Sequence, residues 1–202
     1  MAILRLWDTL RYMKPAQLIR KFVVAAFLAA ALPAPGVWAG PAEDSAELDR
    51  LFGALKGADE AASGRIESEI WRLWSRSGSA AMDLLLERGR KAMGQGDYEA
   101  AIEHFTALTD HAPDFAEGWN ARAIAFYHMG RYGQSVADIQ HTLALNPRHF
   151  GALAGFGAIL EAIDQPEPAL EVYRAALAIH PHLKGIDEAV KRLETKIAGQ
   201  DI

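Results

Sequence analysis

Cysteine is absent from the 202 residues. That excludes a disulfide framework, a thiolate nucleophile, a zinc site built on thiolates and a lipid-modified cysteine. A basic surplus is missing too, since 21 Lys and Arg stand against 26 Asp and Glu for a net charge of −5. Phosphate backbones require a basic face, so nucleic acid is not an expected partner. There is no glycine-rich phosphate loop after a strand and no Gly-x-Ser-x-Gly elbow. These gaps remove most routes to catalysis and leave a half-hydrophobic chain long enough for one real core.

The N-terminus has the layout of an export signal. Arg11, Lys14, Arg20 and Lys21 form a basic region, "FVVAAFLAAAL" over 22–32 is uncharged and apolar, and "PAPGVWAG" follows. Val37-Trp38-Ala39 before Gly40 fits a peptidase site. The apolar run is well short of the roughly 20 residues that span a bilayer. A cleaved signal over 1–39 and a periplasmic mature protein are therefore expected, with an uncleaved membrane anchor as the alternative. Met13 opens a more compact signal than Met1 and is a second candidate start. Loss of 1–39 removes five basic residues and one acid, leaving 16 against 25 and a net charge of −9. Such a surface favours neutral or basic partners.

Prolines punctuate the rest. Pro113, Pro147 and Pro181 are spaced by 34 residues. Other columns recur at the same interval. Leu85, Trp119 and Leu153 are large, whereas Gly89, Ala123 and Gly157 are small. Gly96, Gly130 and Asp164 share a turn column. Ala101, Ser135 and Ala169 are small again, and Phe105, Ile139 and Tyr173 are large. Each column has a physical role in a helix–turn–helix. Small residues let two helices approach, the large residue one turn on fills the gap between them, the Gly/Asp column tolerates a left-handed conformation at a helix end, and proline stops the second helix. Leu108 replaces a small residue in the first unit and is expected to loosen its packing. Pro166 and Pro168 in the third unit suit a first helical turn.

The period and its columns resemble the tetratricopeptide repeat (TPR) family over 82–183. The resemblance implies an all-α, right-handed helix–turn–helix solenoid of units 82–115, 116–149 and 150–183. Residues 40–81 read as a divergent helix pair leading into the array, with Leu48, Leu51, Phe52 and Leu55 on one face and Ile66, Ile70, Leu73 and Trp74 on the next. Residues 184–202 read as a capping helix and tail, with Ile186, Ala189, Val190, Leu193 and Ile197 facing inward. Trp71, Trp74 and Trp119 are read as core residues.

No catalytic, metal or cofactor constellation stands out. The seven histidines lack metal-ligand spacing and are read as solvated or as parts of inter-repeat turns. Glu99, Glu103, Asp138 and Glu171 are read as solvated acids on second helices. The function implied by the resemblance is a non-catalytic scaffold or adaptor that takes a peptide or helix of an envelope protein in its concave groove. The groove positions carried over are Asp83, Leu86, Arg90 and Met93; Glu117, Asn120, Ile124, Tyr127 and His128; and Gly151, Ala154, Ala158 and Glu161. A subset of the family clamps a C-terminal carboxylate, at places matched here by Leu86, Arg90, Ala121, Gly151 and Gly155. Only Arg90 fits, so that clamp is not expected. The rival expectation is a structural subunit of a homo-oligomer or envelope complex whose groove is filled by its own segment.

Overall fold

The computed structural model describes residues 42–199. Among them are nine α-helices and no strand, in agreement with the all-α reading. They are α1 (Ala42–Leu55), α2 (Glu60–Trp74), α3 (Ala80–Gly94), α4 (Tyr98–His111), α5 (Ala116–His128), α6 (Tyr132–Leu145), α7 (Phe150–Ala162), α8 (Pro166–Ile179) and α9 (Ile186–Ala198). The signal-like segment 1–39 lies outside the described residues.

Helices α3–α4, α5–α6 and α7–α8 are the three antiparallel units. Their turns have the geometry the columns demand: Gly96, Gly130 and Asp164 all have positive φ, at 78°, 69° and 54°. A Cβ added to Gly89 would overlap the Phe105 ring, and one added to Gly157 would overlap the Tyr173 ring. In the second unit Ala123 takes the small position, and the branched Ile139 replaces the ring. Pro166 is the first residue of α8, where its missing N–H costs nothing.

Leu108 does not loosen the first unit. It is fully buried, and a Cβ on Gly118 of α5 would stand 3.1 Å from its Cγ. The larger side chain on α4 is thus matched by a missing one on α5. The corresponding pairs further along are Thr142 with Ala152 and Ala176 with Ile186, so the partner grows as the second-helix residue shrinks.

The helix pair α1–α2 does not stack as a repeat in front of α3. On α5, the residues that receive the preceding helix include the buried Gly118, Ala121 and Ala125. Their counterparts on α3 are Leu84, Glu87 and Lys91, all exposed. The array therefore begins with a solvated face at α3. Instead, α1–α2 folds back over the inter-repeat turns. Leu48, Leu51, Phe52, Leu55, Ile70, Leu73 and Trp74 share one core with Phe150 of α7, and Ile179 and Leu183 pack against it. Arg148 pairs with Asp49 at 2.7 Å and lies over the Phe52 ring. His182 bonds the carbonyl of Ala58, and His180 faces Glu67 at 3.3 Å. Pairing partners about 100 residues or more apart in the chain leave no periodic trace in sequence.

Helix α9 closes the other end. Ala189 and Leu193 are buried, while Arg192, Lys196 and Glu194 reach back to Glu161, Asp164 and Arg174.

Candidate functional site

The residues carried over as groove positions divide into three groups. Leu86 is core, 2 % exposed among Phe105, Leu108 and Ala121, and Met93 packs on the same cluster. These two do not line an open groove, because the face of α3 that bears them is closed by α4 and α5.

A second group forms a buried polar network at the first-helix ends. Glu117 is 3 % exposed on its side chain, and Arg90 Nη2 donates to its Oε1 at 2.6 Å. Arg90 Nη1 donates to Ser75 Oγ at 3.0 Å. Asn120 Nδ2 donates to Glu117 Oε2 at 3.0 Å, and His149 Nε2 lies 3.1 Å from the same oxygen. His149 Nδ1 accepts the Ala152 N–H at 3.1 Å and so caps α7. That bond occupies the Nδ1 lone pair, so the proton sits on Nε2 and points at the carboxylate. His149 belongs to the inter-repeat joint, as expected, but both it and His180 are fully buried rather than solvated. Aromatic rings cover both, since Trp74 of α2 stacks on His149 at 4.2 Å and Phe150 of α7 meets His180 edge-on. Trp71 lies against Gly151, where an added Cβ would stand 2.7 Å from Cη2. Trp71 Nε1 donates to Glu67.

The third group lies around a small cleft, whose wall the buried Asn120 also forms. Asn120, Ile124, Tyr127, Gly151 and Ala158 line a small cleft with Ala123, Ser135, Ile139, Ala152 and Gly155. Ile124 is 38 % exposed, one of two large apolar side chains that open among the described residues. Beyond the cleft, His128 stacks on Tyr98 and meets Tyr127 edge-on. Ala154 is half-buried. Asp83 accepts from the backbone and hydroxyl of Ser77. Glu161 accepts from Tyr173 Oη at 2.8 Å and from Arg192. Burial first, and the Glu161 carboxylate next, push the Tyr173 phenol well above its ordinary range.

Two further expectations are corrected. Asp138 is buried, because Arg122 grips it through two bonds of 2.7 and 2.9 Å. Arg122 Nη1 also donates to the hydroxyls of Thr106 and Thr109. A first-helix arginine thus holds a second-helix acid sixteen residues on, a contact that spacing alone does not mark. Trp119 is half-buried, not core: its Nε1 donates to the Pro113 carbonyl, His141 stacks on it, and Arg122 lies over its ring. Among the described residues, no group of three or more His, Asp or Glu side chains is arranged to hold a metal ion.

A TPR repeat-containing protein of Rhizobium etli is 39 % identical over 155 residues, which span 75 % of each chain. The chain belongs to the tetratricopeptide repeat family. The tetratricopeptide repeat model matches residues 86–140 and 121–183, within the three TPR units of the structure. Small glutamine-rich tetratricopeptide repeat-containing protein 2 of Saccharomyces cerevisiae is 34 % identical over 112 residues, 55 % of this chain and 32 % of its own. The first TPR of Spaghetti (RPAP3), solved with the HSP90 peptide SRMEEVD, superposes with a TM-score of 0.56 at 25 % identity, covering 58 % of this chain and 93 % of that one. In the present TPR array the positions that would meet a terminal carboxylate are already engaged: Arg90 holds Glu117 and Ser75, and Gly151 lies under Trp71.

Proposed function

We propose that the chain is a non-catalytic interaction scaffold that binds a peptide or helix of an envelope protein on the open part of its TPR groove. The observation that carries this reading is the apolar cleft between α5 and α7, where Ile124 is exposed and Tyr127 and Ala158 form walls. Peptide binding by the RPAP3 repeat is the parallel. Trp71 over Gly151, and the bonds of Arg90 to Ser75 and Glu117, argue against an acidic tail bound by its carboxylate. The N-terminal signal pattern supports the periplasm as the setting. A photo-crosslinker placed at Ile124 in living cells should capture a discrete protein, and Ala158→Trp should abolish the capture. If the same proteins are captured from the variant, groove binding is wrong. The isolated protein should begin at Gly40; retention of 1–39 would overturn the cleaved-signal reading.

The placement of Trp71 on Gly151 favours a second reading, in which the self-covered groove serves a structural subunit. Light scattering of the mature chain separates the two. A stable homo-oligomer that captures nothing through Ile124 supports the structural subunit.

A further inference from the structure

We infer that the exposed face of α3 pairs with the same face of a second copy of this chain, the two helices lying antiparallel about a two-fold axis that passes between Glu87 and Arg88. The inference rests on neither reading of the groove, because this face points away from the core that holds Leu86.

In the second unit the first helix presents a face to the helix before it. On α5 that face consists of Gly118, which lies against Leu108, of Ala121 and Ala125, which share the α4 core, and of Arg122, which donates to Thr106 and Thr109. The residues 34 places earlier, on α3, are Leu84, Glu87, Lys91 and Arg88. All four are exposed, Leu84 by 44 %. Glu87, Arg88 and Lys91 have no ion-pair partner among the described residues. A face that takes a helix in the next unit is thus open here, with a large apolar side chain on it.

The face is complementary to itself when reversed. Helical spacing sets Ala81, Leu84, Glu87, Arg88, Lys91 and Gly94 along one side of α3. In the antiparallel pair each Glu87 meets the other copy's Arg88, which gives two ion pairs across the axis. Each Leu84 lies under the aliphatic stem of the other copy's Lys91. Each Ala81 faces the other copy's Gly94, beside which there is open space. A parallel pairing would instead set like charges side by side. Self-complementarity of this kind is what an isologous two-fold contact requires. One helix face is small for an interface, and the chain carries a net charge of −5, so the association is weak.

Sedimentation equilibrium of the purified protein, in the form the cell accumulates, should show a dimer fraction that rises with concentration and is substantial at about 0.5 mM. Glu87→Lys and Arg88→Glu each place like charges at both contacts and should weaken association about tenfold or more. Mixing these two variants restores opposite charges at both contacts, so the mixture should dimerise as the unaltered chain does. Leu84→Ser should also weaken the dimer. Because the chain has no cysteine, Ala81→Cys mixed with Gly94→Cys under mild oxidation should give a disulfide-linked dimer, and Ala81→Cys alone should give little. All five positions are exposed, so the variants should melt as the unaltered chain does. The inference is overturned if the protein stays monomeric at about 0.5 mM, if the single charge variants dimerise unimpaired, or if the mixed variants fail to associate. A dimer indifferent to all these changes uses another surface; α3 pairing then falls and the structural-subunit reading stands. Capture through Ile124 is read separately and decides the groove reading whichever way the dimer test falls.

Discussion

Phe105 occupies the space that a side chain on Gly89 would need. Two helices of one repeat are thereby brought together at a point where nothing larger than hydrogen can stand between them. The same relationship joins Gly157 to Tyr173, while Ala123 faces a smaller partner column at Ile139.

Gly89→Ala should therefore destabilise the fold by about 1–3 kcal/mol through overpacking. Adding Phe105→Ile should recover part of the loss, because it recreates the Ala/Ile combination of the second repeat. Thermal unfolding of the single and double variants reads both effects; a double variant weaker than the sum of the two singles would contradict the pairing.

Arg122 and Asp138 form a two-bond ion pair whose side chains are 14 % and 5 % exposed. Arg122→Met leaves a buried carboxylate without its partner and should cost about 3–5 kcal/mol. Asp138→Leu in the same chain should restore much of that loss. Urea denaturation of the four members of the cycle gives the coupling, and additive losses would mean that the pair contributes no interaction energy.

Much of the fold was legible from local chemistry, and these two sites mark the boundary. The turn glycines, the prolines and the small/large columns recur at 34 residues because every unit solves the same packing problem. Burial of Asp138 was not legible, since an acid on a helix face looks the same whether or not an arginine on the preceding helix reaches it. Leu108 read as a misfit because its compensation lies at Gly118, on the next unit. The candidate site was less legible than the fold. Ile124, Tyr127 and Ala158, carried over from the family resemblance as groove positions, lie together along the cleft. Leu86, Glu117 and much of Asn120 are consumed by packing and by a network that includes His149. That network depends on where α2 lies, which no repeat column encodes.

Asp164 holds a left-handed conformation that glycine adopts without strain. Its ion pair with Lys196 is largely exposed and offers little compensation. Asp164→Gly should unfold at a higher temperature than Asp164→Ala, by a margin of about 1 kcal/mol in stability. Equal melting temperatures would show that the turn is not strained.

Tyr173 has a raised phenol pKa, so its contribution to stability is complete below the ordinary tyrosine value of about 10 and is lost only as pH rises beyond it. In absorbance titration of the folded protein, Tyr173→Phe should leave the tyrosinate signal near pH 10 unchanged. A decrease of one tyrosine equivalent in that range would refute the buried, carboxylate-bonded phenol.

Trp74→Ala should cost about 3–5 kcal/mol and expose His149, whose ring it covers at 4.2 Å. Hydrogen exchange at the Ala152 amide, held by His149 Nδ1, should accelerate beyond the global change. Unchanged protection there would show that the α2 cover does not support the α7 cap.

A stack of repeats that touch only their neighbours can fray from either end and begin folding anywhere. The return of α1–α2 to Phe150, His180 and Leu183 changes that order of events. Among the described helices α1 and α2 are made first, and their shared apolar face meets Phe150, Ile179 and Leu183 only once the later repeats have followed. Until then Leu48, Leu51, Phe52 and Trp74 lack the Phe150 side of their core, so the nascent chain carries an unfinished surface for most of its synthesis.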